Sequence, residues 1–154
     1  MAIKGYLFVA LVVLAFWGCT KAALTPATEF EIELPPNQAY TKVIETLLGQ
    51  GFFMERADNA SLSATTQWRE LSLEKLKEAA ELGDDEIRVE RGRYGYQIRV
   101  TEREGKTMVY IEAAVEGLFL PKQRGTEGRS QAEWHKEKSK GNLERALMES
   151  VSKS

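Results

Sequence analysis

The stretch Arg93–Glu116, RYGYQIRVTEREGKTMVYIEAAVE, holds two alternating segments on either side of Glu104-Gly105. With a two-residue turn at Glu104-Gly105, every pair on one face of the hairpin is apolar or aromatic. A slip of one residue would bury the polar face, so the register is strongly specified. The predicted inward pairs are Val100 with Val109, Ile98 with Ile111, Tyr96 with Ala113 and Tyr94 with Val115, and the outward pairs are Thr101 with Met108, Arg99 with Tyr110, Gln97 with Glu112 and Arg93 with Glu116.

Segments before this hairpin predict two further strand regions and two helices. Glu29–Leu34 alternates acidic and apolar residues, which is typical of a strand with one solvated face. Residues 37–48 carry apolar side chains at helical spacing, and this helix ends at Gly49 and Gly51. A hairpin of residues 52–56 and 62–69 follows, with Phe52 and Trp68 on its inward face, and Ser72 caps a short helix at 73–82 outside the main core.

The last segment predicts a long helix. Ser130-Gln131-Ala132-Glu133 has the capping-box pattern, in which Ser is followed three residues later by Glu. The predicted helix runs to about Val151, with Trp134 on its inward side and a possible kink at Gly141. The expected class is therefore α+β: an antiparallel sheet of four to five strands with two main helices packed on one face, in the order β-α-β-β-(α)-β-β-α.

Composition excludes several classes of protein. The chain has 21 Lys plus Arg and 23 Asp plus Glu, a balance that argues against nucleic-acid binding. One Cys and one His cannot build a disulfide scaffold or the usual zinc cage. We therefore expect no metal site and no cofactor.

The N-terminal segment predicts export and lipidation. Residues 1–18 carry a single charge, Lys4, before an apolar run that is too short for a membrane span and suits a signal peptide. Residues 14–19, LAFWGC, resemble a bacterial lipobox, which implies thioether lipidation of Cys19, cleavage between Gly18 and Cys19, and acylation of the new amine. In sorting of the enterobacterial type, Asp at position 20 would favour retention in the inner membrane, so there Thr20 favours the outer membrane, facing the periplasm. The predicted organisation is a signal peptide at 1–18, a lipidated tether at 19–28 and one domain at 29–154.

Behind the lipobox, the domain resembles those of outer-membrane assembly lipoproteins of the BamC (NlpB) type, in which a sheet wraps a long C-terminal helix. The resemblance covers roughly residues 29–118 and rests on short motifs. It implies a helix-grip fold and an envelope location. The motifs are Ala39-Tyr40-Thr41-Lys42-Val43-Ile44, Gly51-Phe52-Phe53-Met54, Asp58, Thr65-Thr66-Gln67-Trp68 and Arg93-Tyr94-Gly95-Tyr96-Gln97-Ile98-Arg99-Val100.

No catalytic grouping emerges from the sequence. His135 has no nucleophile motif beside it, and we interpret it as a solvated or half-packed side chain. Asp84-Asp85-Glu86 lacks the spacing of a calcium loop, so a solvated turn is the better interpretation. We expect a protein that is not an enzyme.

Two surfaces are candidate contact sites for other envelope proteins. The first is the outward face of the hairpin, because Tyr and Arg are enriched at interfaces; pairing on a solvated face would explain it equally well. The second is the apolar run Leu118-Phe119-Leu120, which a strand end covered by the last helix would also explain. The expected function is a non-catalytic accessory or scaffold protein, and the alternative is a carrier of a lipid or other apolar ligand. Five inward aromatic residues would line its cavity, although packing in an ordinary core is the simpler interpretation of them: Phe52, Trp68, Tyr94, Tyr96 and Trp134. The residues of the first surface are Arg93, Arg99, Tyr110, Glu112 and Glu116.

Overall fold

The structure is a computed structural model that describes residues 28–82, 88–120 and 132–154. Cys19 and Asp84-Asp85-Glu86 lie outside the described residues. The elements are β1 (Thr28–Ile32), α1 (Pro36–Gly49), β2 (Met54–Asp58), β3 (Ser63–Thr66), β4 (Arg69–Leu71), α2 (Leu73–Ala79), β5 (Ala80–Glu81), β6 (Val89–Arg103), β7 (Lys106–Phe119), β8 (Glu133–Ser139) and α3 (Asn142–Lys153).

The long hairpin β6–β7 forms the centre of the sheet, and its predicted register is confirmed. Ile98 pairs with Ile111 and Arg99 with Tyr110. Glu104 and Gly105 both have positive φ, at 54° and 75°, as a type I′ turn requires. All eight cross-strand pairs predicted from the sequence are present in the ladder.

Each outer edge of this hairpin is shared by two shorter strands. On the β7 side, β1 pairs with residues 107–111 and β8 pairs with residues 115–119. On the β6 side, β3 pairs with residues 97–99 and β4 pairs with residues 92–94. β2 extends the sheet beyond β3, and β5 pairs with the end of β8. The central strands therefore have a gap in their pairing on each side.

At both gaps, a side chain accepts the backbone hydrogen bond that a neighbouring strand would otherwise accept. The Tyr96 backbone N–H donates to Thr66 Oγ1 at 2.8 Å, between β3 and β4. The Ala113 backbone N–H donates to Glu144 Oε1 at 3.1 Å, between β1 and β8. Tyr96 and Ala113 are themselves partners across the hairpin. Because a buried amide without a partner is costly, these side chains substitute for the missing strand backbone.

The helices pack on one face of the sheet and enclose the core. Val43 and Leu47 of α1 are fully buried against it, as is Val151 of α3. α2 was predicted to lie outside the main core, but its Leu76 is fully buried. A Cβ at Gly92 would lie 2.7 Å from Leu76 Cδ1, so this glycine allows α2 to approach β6 closely.

The predicted architecture of four to five strands under two main helices is wrong. The described residues form eight strands and three helices. The largest error lies at Glu133–Ser139, predicted as the first half of a long helix and found as strand β8. The edge of β7 at residues 115–119 needs a partner for its backbone, and β8 supplies it. This pairing overrides the capping-box signal, and Gly141, at φ +81°, precedes α3 instead of kinking it.

Candidate interaction surface on the open sheet face

The open face is the side of β6–β7 opposite the three helices, and all five residues of the predicted contact surface lie on it. Arg93 and Glu116 are direct cross-strand partners, and Arg93 Nε donates to Glu116 Oε2 at 2.7 Å. The Tyr110 hydroxyl donates to Glu112 Oε2 at 3.2 Å, and Arg99 pairs with Tyr110 in the ladder. Partial burial and the adjacent Glu112 charge raise the pKa of Tyr110.

Two tryptophans flank Arg93 on this face, which the sequence analysis did not anticipate. The Arg93 guanidinium carbon lies 4.6 Å from the ring centroid of Trp68 and 4.2 Å from that of Trp134. Both distances are within the range of cation–π attraction. We call Trp68, Arg93, Trp134 and Glu116 the tryptophan–arginine cluster. It joins side chains from four parts of the chain into one surface.

A β-bulge brings Trp68 to the open face. Thr65 pairs with Gln97 and Arg69 pairs with Tyr94, so four steps along one strand match three along the other. The extra residue shifts the alternation by one between β3 and β4. The prediction that Trp68 continues the inward face is therefore wrong, and its side chain is 41% exposed.

Trp134 reaches the open face because its segment is a strand. It pairs with Leu118 of β7, and the guanidinium contact places its ring on the same side of the sheet as Arg93. In the predicted helix, Trp134 would have faced the core. No local pattern in residues 133–139 identifies the strand, because the segment carries charged residues on both faces.

Ion pairs around the cluster leave its charge nearly balanced. Arg91 Nη1 lies 3.0 Å from Glu70 Oε1, and both side chains are largely exposed. Arg93 and Glu116 are more enclosed, with side-chain exposures of 28% and 22%. The stacked rings and this ion pair hold the guanidinium in one orientation. The surface thus offers two aromatic rings around a fixed, neutralised arginine, a combination suited to protein contact.

The apolar run Leu118-Phe119-Leu120 is not the exposed patch that was predicted. Leu118 and Phe119 are each only 8% exposed, whereas Leu120 is 45% exposed. Phe119 joins the main core, and its ring lies 4.7 Å from that of His135. Only Leu120 remains as a surface contact residue from this run.

His135 lies in strand β8, not at a helix start as predicted. Its Nε2 is 3.8 Å from Glu133 Oε2, and its side chain is about half exposed. Neighbouring Glu137 is partly buried, which raises the pKa of its carboxyl. Across the described ranges, no group of three or more His, Cys, Asp and Glu side chains could hold a metal ion.

The five aromatic residues predicted to line a cavity divide between two places. Phe52, Tyr94 and Tyr96 pack edge-to-face, with ring centroids 5.2–5.7 Å apart. Trp68 and Trp134 lie on the opposite side of the sheet. The prediction that all five rings share the inward face is therefore wrong for Trp68 and Trp134.

Comparison with models of known protein families gives no match to this chain, and comparison with curated proteins gives no significant relative. Among the described residues, no helix is long and apolar enough to cross a membrane.

Proposed function

We propose that this protein is a lipid-anchored lipoprotein of the bacterial envelope that acts as a non-catalytic accessory or scaffold protein. The proposed anchor is Cys19, and the proposed location is the outer membrane, facing the periplasm. The domain would bind other envelope proteins through the open face. A role in the assembly of outer-membrane proteins is the context that the sequence resemblance favours.

The tryptophan–arginine cluster carries the proposal of a binding role. Trp and Arg are the residue types that most often dominate the energy of protein interfaces. Here the two rings are held by a bulge and by strand pairing, so binding would cost them little conformational entropy. The neighbouring Arg99, Tyr110 and Glu112 extend the same surface along β6 and β7.

Complementation of a deletion strain tests this proposal. We expect Cys19→Ser to abolish lipid labelling, because the thioether requires the thiol, and either to release the protein from the membrane fraction or to block its processing. Radiolabelled fatty acid in the Cys19→Ser protein would contradict the proposed anchor. For the binding face, we expect Trp68→Ala combined with Trp134→Ala to impair the envelope phenotype while the domain remains folded.

The matched control variants carry substitutions on the helices, away from the open face. Leu48→Ala removes an apolar side chain that is 51% exposed on α1, and Arg145→Met removes an exposed charge on α3. Both should complement fully. If the tryptophan variant also complements fully, the cluster is not the contact site. If His135→Ala alone abolishes function in a folded protein, the non-catalytic role is wrong.

Site-specific photocrosslinking locates the contact directly. A crosslinker at Gln97 or Thr101 projects from the open face, whereas one at Gln38 or Glu45 projects from α1. We expect one defined partner band from the first pair, which disappears in the tryptophan variant. Equal crosslinking from both pairs would contradict a specific open-face interface.

A further inference from the structure

A groove on the helix side of the sheet combines an apolar floor with a polar rim. Its volume is about 350 Å³, within the usual size range of small-molecule sites. β4, α2, β6 and the start of α3 form its walls. The floor contains Leu71, Ala79, Tyr94 and Leu143, and the rim contains Arg69, Glu70, Lys75, Glu78 and Asn142. We call it the α2–α3 groove.

Within the described part of the chain, two cations on the rim, Arg69 and Lys75, have no acidic partner. Among the described residues, neither the Arg69 guanidinium nor the Lys75 ammonium forms an ion pair. Glu70 is the nearest carboxylate in sequence to Arg69, but it binds Arg91 at 3.0 Å instead. These two positive charges on the described rim suit the binding of an anionic ligand.

The Arg69 guanidinium is held in place while most of its donors stay available. It stacks on the Phe52 ring at 4.6 Å and donates from Nη1 to the Gln50 carbonyl at 3.0 Å. A guanidinium has five N–H donors, so this contact uses a minority of them. A fixed guanidinium fork is well suited to a carboxylate or phosphate.

The Tyr94 hydroxyl adds an unused hydrogen-bonding group at the same place. Its ring packs at 5.6 Å from Phe52 and 5.7 Å from Tyr96, whereas its hydroxyl forms no hydrogen bond with the described residues. Tyr96 differs, because its hydroxyl donates to the Leu143 carbonyl at 3.1 Å. Tyr94 thus presents a donor that fold stability does not use.

We propose that the α2–α3 groove binds a small organic anion: an acidic headgroup on a short apolar chain. Arg69, Lys75 and the Tyr94 hydroxyl receive the headgroup, and the chain lies along Leu71 and Leu143. The groove and the open face lie on opposite sides of the sheet, so this proposal does not depend on the proposed scaffold role.

Hexanoate is the probe. Acetate is the control compound that has the acidic headgroup alone, and 1-hexanol is the control compound that has the apolar chain alone. Binding is measured by ligand-observed NMR on the full chain purified from its membrane. Variants are compared in the same detergent, so partition into micelles cancels. We expect hexanoate to bind more tightly than either control compound. Hexanoate binding that is no tighter than that of both controls would overturn the proposal.

Three groove variants locate the site. We expect Arg69→Met to weaken hexanoate binding about tenfold, because charge-assisted hydrogen bonds are lost. Tyr94→Phe removes only an unbonded hydroxyl and should weaken binding several-fold without lowering the melting temperature. Glu78→Gln removes one of the two rim carboxylates and should tighten binding, since repulsion of the anion falls.

Arg99→Met on the open face is the matched control and should bind hexanoate as the unaltered protein does. If Arg69→Met fails to fold, the hexanoate affinities of Lys75→Met and Tyr94→Phe test the site instead. We expect both variants to bind hexanoate more weakly than the unaltered protein does. Hexanoate affinity that is unchanged in the groove variants would place the ligand elsewhere and overturn the proposal. Loss of hexanoate binding with intact complementation would separate this site from the scaffold role.

Discussion

Two carboxylates that bind groups of the central hairpin, Glu144 from α3 and Glu116 from β7, serve different purposes because their surroundings differ. Glu144 is fully buried and accepts from the Ala113 N–H and the Ser139 hydroxyl. Glu116 lies at the surface, where it pairs with Arg93 among the tryptophans. A buried acceptor satisfies groups that cannot reach water, whereas a surface acceptor competes with water. The buried row of Thr66, Tyr96, Ala113 and Glu144 should therefore determine stability, and the tryptophan–arginine cluster should determine recognition.

The largest expected effect is that of Glu144→Ala. Two buried donors lose their acceptor, and each unsatisfied group costs about 1–3 kcal/mol, so unfolding free energy should fall by about 2–6 kcal/mol. Glu149→Ala, an exposed carboxylate on the same helix, is the control and should cost less than about 0.5 kcal/mol. Urea melts measure both variants. Equal losses of unfolding free energy in the two variants would show that the buried Glu144 carboxylate contributes no more to stability than an exposed one.

The hairpin faces give the second comparison. Ile98 is buried and Arg99 is exposed. We expect Ile98→Ala to cost about 2–5 kcal/mol, as truncations in a packed core do. Arg99→Ala should cost well under 1 kcal/mol. Denaturant unfolding checks this difference, and a larger loss for Arg99→Ala would contradict the assignment of faces.

Tyr96 gives the buried row a pH dependence. Burial raises the pKa of Tyr96 above its ordinary value of 10.0, with smaller contributions from Tyr94 and Glu144. The folded state then favours the neutral phenol, so this stabilisation is complete below pH 10 and falls as pH rises beyond it. We expect Tyr96→Phe to lose about 0.5–1.5 kcal/mol at neutral pH with its hydrogen bond, and to show a shallower alkaline loss.

Thermal unfolding between pH 7 and pH 11 measures that slope. Tyr110→Phe is the control, because the Tyr110 phenol is nearer the surface. If Tyr96→Phe and the unaltered protein lose stability equally above pH 10, the buried phenol does not control the alkaline transition.

Arg93→Met in the tryptophan–arginine cluster should lower stability less than Glu144→Ala or Ile98→Ala does. Its two cation–π contacts contribute about 0.5–1 kcal/mol each and its partly exposed ion pair about 1 kcal/mol or less, so we expect a loss of about 1–3 kcal/mol. We nevertheless expect this variant to weaken partner crosslinking from Gln97 strongly, because the two tryptophans lose the group that orients them. Melting temperature and crosslink yield are measured on the same preparation. Normal crosslinking in the folded variant would separate the cluster from binding.

The strict alternation of residues 93–116 was enough to predict the central hairpin, its turn and eight of its cross-strand pairs. It was also enough to place Arg93 and Glu116 together on the outward face. The Ser72 cap of α2 was predicted correctly, and its hydroxyl accepts from the Lys75 N–H. These features depend on contacts between near neighbours or across one tight turn, so local sequence encodes them.

Tertiary structure alone decided the positions of Trp68 and Trp134. A one-residue bulge beside β6 turned Trp68 outward, and nothing in Thr65–Arg69 marks the extra residue. Residues 133–139 pair with the edge of β7 as a strand, although the capping box at 130–133 predicted a helix there. Both outcomes depend on a distant backbone that needs hydrogen-bond partners. The sequence by itself therefore determined the hairpin and its two faces, whereas long-range strand pairing assembled the tryptophan–arginine cluster on one of them.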